Sequence, residues 1–301
     1  MTRTIVVGYD GTDHGDDALA LGRLLAGIAD AQLVVACAYP DDPLGESAAG
    51  LEAARGMRED AEAKLERARA WLGGGGAADL RAVAGPSPSH VLHELAEASD
   101  ALAVVVGATH HGRALRLLTG STPDAVLNHA PCPVAVAPAG YRDAAHGAGG
   151  VRRLAVAFDG SPEARHALEV AAGFARLAAA RLRVVTALNT AAAGVYPPPP
   201  LDAASYEQLA QIARDEARTR LDEALAAVGP DVVAEGVVRE GDVVAELVED
   251  AQTDDLLFTG SGGKGPWRRV LVGSVSAHLL REAPCPVIVV PRGSGGAGDD
   301  A

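Results

Sequence analysis

The chain has 301 residues, a formal net charge of −14, 48% hydrophobic residues and only 3% aromatics. That length fits about two domains, each able to bury its own core, and the composition excludes a disordered chain. The acidic balance excludes general nucleic-acid binding, which needs a basic surface, and the scarcity of aromatics leaves Ala, Val and Leu to build the cores.

The chain opens on "TIVVGY", a short apolar run that predicts a buried strand, and reaches Asp10 before any signal-like stretch has built up. The strands "QLVVACA", "LRAVAG", "ALAVVVG" and "PVAVAP" follow, with a helix expected after each of the first four. Short apolar strands alternating with helices predict a parallel sheet covered on both faces. Pro133 and Pro138 bracket the last of these strands, which fits a sheet edge.

At Leu154 the pattern starts again. Asp10 matches Asp159 at an offset of 149 residues, and "GSTPDAVLNHAPCPVAVAP" from Gly120 matches "GSVSAHLLREAPCPVIVVP" from Gly273 at an offset of 153. A repeat of about this length is a duplicated domain and too long for a solenoid unit. The second copy reads as strand "RLAVAF" and a helix capped by Ser161 with Pro162 at its first position. Next come strand "LRVVTAL" and a long helix from about Ser205 to Val228 with apolar Leu209, Ile212, Ala213 and Ala217. Strand "VVAEGVV", helix "DVVAELVEDA" and strands "DLLFTG" and "PVIVVP" complete it. The expected organisation is domain 1 over residues 1–139, a linker over 140–152, domain 2 over 153–292 and a Gly- and Asp-rich disordered tail over 293–301. The fold class is α/β: two tandem Rossmann-like domains, each an open five-stranded parallel sheet of order 3-2-1-4-5 with helices on both faces.

In such sheets ligands bind beyond the carboxyl ends of the strands, where the strand order reverses between strands one and four. Asp159 ends the first strand of the second copy, and Gly260 ends its fourth and starts the loop "GSGGKGPWRRVLVGS". Lys264, Arg268 and Arg269 lie in this loop without an acid. The loop runs into a helix for which Ser274 or Ser276 is the expected N-cap, and a helix N-terminus offers N–H groups to an anion. A Walker A motif fails here: Phe258 stands where a Gly is needed and Gly265 where Ser or Thr is needed. Gly260, Gly262 and Gly265 spell G-x-G-x-x-G, but after the fourth strand and not the first, so a dinucleotide fingerprint is rejected.

The intact spacing G-x2-G-x9-G-S/T at Gly260, Gly263, Gly273 and Ser274, the early "DGS" and the late "APCPVIVV" together resemble the universal stress protein family in its tandem form. The resemblance covers nearly the whole chain. It implies a five-stranded nucleotide-binding fold in which some members bind ATP. Carried over by position, Asp159 lies near the nucleotide and Ala187, after strand two, meets the adenine. Gly260 and Gly263 approach the ribose and phosphates, while Gly273, Ser274, Val275 and Ser276 hold the phosphates. In the first copy Asp10, Gly107, Gly120 and Ser121 match, but His110 replaces the second glycine and Pro123 the later serine.

The resulting expectation is a cytoplasmic stress-response protein that binds ATP or a related adenine nucleotide, with or without Mg2+, mainly in the second domain, as a signalling or regulatory module. The alternatives are a slow nucleotide hydrolase on the same fold, or a family member acting through protein contacts. No dedicated catalysis, metal site, nucleic acid or membrane partner is expected; no run approaches the roughly 18 apolar residues of a membrane span. Cys37, Cys132 and Cys285 are odd in number and far apart, which fits reduced thiols in a cytosol. The resemblance also implies an intrachain pseudo-dimer through the two last strands, with a homodimer as a further option.

Overall fold

The computed structural model describes residues 3–41, 48–73, 78–108, 122–143, 150–189, 202–262 and 273–292. The chain divides into two compact units, the first built on residues 1–147 and the second on residues from 148 onward.

In the first unit β1 (Thr4–Gly8), β2 (Gln32–Pro40), β3 (Ala78–Gly85), β4 (Ala103–Gly107) and β5 (Val134–Ala137) pair in the order β3-β2-β1-β4-β5, every pair parallel. Helices α1 (Asp13–Ala29), α2 (Ala48–Trp71), α3 (Pro88–Ala98) and α4 (Thr122–His129) connect them. Ile5, Val6 and Val7 are successive and all fully buried. Since neighbouring side chains on a strand point to opposite faces, both faces of this sheet are covered.

The second unit repeats the plan. Strands β6 (Arg153–Ala157), β7 (Arg181–Leu188), β8 (Ala234–Glu240), β9 (Leu256–Gly260) and β10 (Val287–Val290) pair in parallel in the order β10-β9-β6-β7-β8. Helices α5 (Pro162–Ala178), α6 (Ala203–Val228), α7 (Val243–Ala251) and α8 (Ser274–Glu282) connect them. As expected, Ser161 caps α5, its hydroxyl accepting from Ala164 N–H, with Pro162 at the first position. The apolar face of α6 is displaced from the sequence reading: Ala217, Leu221, Ala224 and Val228 are buried, whereas Leu209 and Ile212 are exposed. Phe174 of α5 packs on Phe258 of β9, ring centroids 5.7 Å apart.

Part of the stretch expected as a linker is structured. Tyr141–Asp143 forms a 3-10 turn in which Gly140 N–H (3.0 Å) and Arg142 N–H (2.9 Å) donate to the carboxylate of Asp17 in α1. The Arg142 guanidinium also bonds Asp13 and Asp16 in the first turn of that helix. A buried carboxylate needs donors, and here the chain leaving β5 provides them.

One packing contact shapes each unit at the carboxyl ends of the strands, and a buried ion cluster is added in the second unit. A Cβ on Gly107 would lie 2.0 Å from His14 O, and a Cβ on Gly260 2.8 Å from the backbone carbon of Glu163. The first turns of α1 and α5 therefore rest directly on the ends of the fourth strands. Under α7, Arg183 of β7 donates to Asp250 (3.0 Å) and Asp254 (2.9 Å), and Arg239 of β8 also donates to Asp250. Burial alone would raise the Asp250 carboxyl, but bonds from Arg239 and Arg183 outweigh it and hold the group below the usual carboxylate range. For Asp254 burial wins over the attraction of Arg183, and its carboxyl is raised.

Gly107→Ala and Gly260→Ala are each expected to lower the unfolding free energy by about 1–3 kcal/mol through overpacking, read from denaturant titrations. An unchanged midpoint would mean that α1 or α5 withdraws without cost. Arg183→Ala leaves two buried carboxylates short of a cation and is expected to cost about 3–5 kcal/mol at pH 7. Without Arg183 the Asp254 carboxyl, already raised by burial, rises further and Asp250 loses part of its lowering, so protonation relieves the variant more than the wild type and the deficit shrinks as the pH falls toward 4. A deficit that grows on acidification would contradict this account of the cluster.

Candidate functional site

The turn after the first strand is built alike in both units. Asp159 Oδ1 accepts Ser161 N–H at 2.9 Å, and Asp10 Oδ1 accepts Thr12 N–H at 3.0 Å and the Thr12 hydroxyl at 2.6 Å. Gly160 and Gly11 between them have φ of +81° and +78°, a backbone that favours glycine. "DGS" and "DGT" thus each encode a side-chain-closed turn followed at once by a helix cap. Both aspartates are exposed. Asp10 also serves the Thr12 hydroxyl, a bond Asp159 does not share with Ser161, whose hydroxyl accepts from Ala164 N–H.

Across the sheet, β6 and β9 pair with Val156 opposite Phe258, which brings Asp159 and Gly260 to one edge. Ser261 N–H donates to Val290 O and Ser261 O accepts Gly273 N–H at 2.7 Å. Gly262, at φ +60°, lies so near Gly273 that a Cβ on either would sit 3.1–3.2 Å from the other's Cα. The two ends of the loop between them are therefore pinched together, and α8 starts at this pinch.

The expected N-cap is corrected. Gly273 is the N-cap of α8 and makes no side-chain cap bond. Ser274 is the first helical residue and is exposed. Ser276 is buried and its hydroxyl donates to Gly260 O at 2.8 Å, with Thr259 Oγ1 at 3.2 Å. Ser276 therefore spends its hydroxyl on tying α8 to the end of β9, and what it presents is its backbone N–H. The first N–H groups of a helix have no partner within it, and the first helical bond of α8 runs from Ala277 N–H to Gly273 O. The N–H groups of Ser274, Val275 and Ser276 thus form an uncapped donor set beside the crevice.

Gly260 has a packing role beside the one the sequence reading assigned. The space a side chain would fill there is taken by Glu163 of α5, and at Gly107 by His14 of α1. The glycines are required by helix packing, whether or not a ligand is near. Glu163 is itself buried and accepts from Arg292, Nε at 2.7 Å. Ala187 lies inside β7, one residue from its end and half-buried, and not after the strand. Its neighbour Thr186 is buried and donates to Phe158 O at 2.8 Å, which ties the ends of β6 and β7 together.

Gly263, Lys264, Arg268, Arg269, His110, His111, Gly120 and Ser121 lie outside the described residues. Pro123 is described, in the first turn of α4, and is buried; it has neither the hydroxyl that Ser276 uses nor an N–H. Gly262 carried a readable signal in its Gly-x-Gly context. Glu163 and Ser261 carried none, because their roles depend on distant partners.

Other chemistry is limited. Cys37, Cys132 and Cys285 are free and buried. Burial pushes the Cys132 and Cys285 thiols up to about 12, so neither is a nucleophilic thiolate near neutral pH. Among the described residues no group of three or more His, Cys, Asp or Glu is placed to hold a metal ion, and no helix is long and apolar enough to cross a membrane.

Comparison with known proteins accounts for this plan. The sequence profile of the Universal stress protein family matches residues 1–138 and again 150–291. Universal stress protein Rv2319c of Mycobacterium tuberculosis (strain H37Rv) is 30% identical over 302 residues, covering 96% of this chain and 99% of its own. A universal stress protein of Thermus aquaticus is 31% identical over 145 residues, which is 98% of its length but 46% of this chain. Among solved structures, a universal stress protein from Archaeoglobus fulgidus has a TM-score of 0.65 at 16% identity, covering 96% of this chain and 98% of that one. The chain belongs to the universal stress protein family and carries two copies of the family domain in tandem.

Proposed function

We propose that the second unit binds ATP or a related adenine nucleotide in the crevice between β6 and β9, and that the protein uses this binding as a cytoplasmic stress signal. The observation that carries the reading is the start of α8. Its cap is a glycine with no side-chain cap bond, held by the Gly262–Gly273 pinch, so three backbone donors and the positive end of a helix dipole meet the crevice. A phosphate is the ligand group that such donors fit. Asp159, exposed at the end of β6, is in this reading an acceptor for hydrogen bonds from a ribose or base. Mg2+ would come with the nucleotide, since the described residues offer no metal cluster of their own. The three buried, unpaired cysteines support a reducing compartment.

The first unit is the weaker binder in this reading. His110 takes the place of Gly263 and Pro123 that of Ser276. The missing serine removes the tie that holds the helix start against the strand end, a bond worth roughly 0.5–1.5 kcal/mol. A side chain at residue 110 adds bulk where the other unit has none.

The test is titration calorimetry of the full chain with ATP. Gly273→Val places a branched side chain against Gly262 and in front of the donors, and is expected to weaken the tightest site at least about tenfold, since about 1.4 kcal/mol is one decade. Gly120→Val, the matching change in the first unit, is expected to leave that site within about twofold, a shift of only ~0.4 kcal/mol. A tight site that survives Gly273→Val and is lost in Gly120→Val would assign binding to the wrong unit.

A further inference from the structure

The long helix of each unit sets a cation on the turn that follows the first strand. In the first unit the Lys64 stem lies on Gly11: a Cβ there would be 2.8 Å from Lys64 Cγ. In the second unit Arg220 lies on Gly160, its Cδ 3.0 Å from the position a Cβ would take, with Nη1 3.5 Å from Asp159 O. The two helices share a pattern that extends the internal repeat. Asp60, Ala61, Lys64, Leu65 and Ala68 of α2 correspond to Glu216, Ala217, Arg220, Leu221 and Ala224 of α6. The three apolar positions are buried in both units. The acid four residues earlier faces the cation in both, at 2.7 Å in the Lys64–Asp60 pair and 3.9 Å between Arg220 and Glu216. Glycine at the turn is thus matched by a long cation laid over it, held from behind by an acid on its own helix.

The position of Arg220 says which end of a ligand it meets. The donors of α8 lie beyond β9, on one side of β6. Helix α6 packs on β7 and β8, on the other side of β6, which is also where Ala187 lies. A nucleotide with its phosphates at α8 and its length across β6 brings its base toward Arg220. The guanidinium is held at its edge, Nε donating to Glu216 O at 3.2 Å and Nη1 to Asp159 O at 3.5 Å, and its side chain remains 43% exposed. A planar cation that lies over the turn and is half-open to solvent is a surface on which an aromatic ring stacks.

We propose that Arg220 is a binding residue for the base of the nucleotide, stacking its guanidinium on the purine ring, and that Lys64 is its counterpart in the first unit. The inference rests on the nucleotide reading of the second unit and adds the residue that recognises the purine end. Arginine and lysine differ here in a definite way. Arginine offers a delocalised plane and lysine a point charge, so the second unit holds a base better than the first for a reason independent of the phosphate loop.

The experiment titrates the full-length protein, wild type, Arg220→Ala and Arg220→Lys, with adenosine and with ATP, after thermal melts confirm that each is folded. Arg220→Ala is expected to weaken adenosine and ATP by the same factor, roughly three- to tenfold. Arg220→Lys keeps the charge and the stem over Gly160 but not the plane, and is expected to stay weakened for both ligands. If Arg220→Ala does not fold, the lysine variant alone decides. A loss confined to ATP, or full affinity in Arg220→Lys, would show a charge contact with phosphate and overturn the stacking role. Wild type that binds with both variants unchanged overturns this contact alone. Wild type that binds neither ligand overturns the nucleotide reading, and the contact with it.

Discussion

Everything at the carboxyl edge of each sheet depends on how closely the first helix approaches the end of the fourth strand. At Gly107 and Gly260 the backbone of His14 and Glu163 occupies the place of a side chain. This contact sets where α1 and α5 begin, and so where the Asp-Gly turn before each helix must stand. It also fixes the width of the crevice between strands one and four. A larger residue at either glycine would push the helix outward and carry Asp10 or Asp159 with it. The requirement is steric and holds with no ligand present.

From that contact the second unit builds its edge inward. The hydroxyl of Ser276 is drawn to Gly260 O, which pins α8 to the same strand end. Gly273 N–H reaches back to Ser261 O, and Gly262 takes a left-handed backbone so that the two loop ends can touch. Each of these bonds satisfies a polar group at a buried strand end, as any fold must do. Their joint result is that the N–H groups of Ser274, Val275 and Ser276 start α8 with no partner within the helix. The first unit has the same glycine contact, but with Pro123 it lacks the serine that makes this arrangement.

The fold was largely legible in the sequence. Uninterrupted runs such as Ile5–Val7 read as doubly covered strands because burial on both faces removes alternation. The Asp-Gly-Ser turn was legible because its side-chain bonds are local: the Asp159 carboxylate accepts Ser161 N–H, and the Ser161 hydroxyl accepts Ala164 N–H. What was not legible depended on partners far along the chain. The packing of Gly260 against Glu163 was not legible, since that partner lies far earlier in the chain. Ser276 was read as a possible cap and turned inward because a strand-end carbonyl was waiting there. Leu209 and Ile212 were read onto the apolar face of α6, but its buried apolar residues run from Ala217 to Val228. The cations over Gly11 and Gly160 left no local signal at all, and emerge only when the two halves are laid side by side.

The central claim is that the crevice at the start of α8 holds the phosphates of an adenine nucleotide, with Asp159 and Arg220 at its other end. A crystal structure of the full chain grown with ATP tests it most directly. The account predicts phosphate oxygens within hydrogen-bonding distance of the backbone N–H groups of Ser274–Ser276, and the purine on the Asp159 side of β6. A nucleotide bound elsewhere, or seated in this crevice with its base against α8 and its phosphates toward α6, would contradict it.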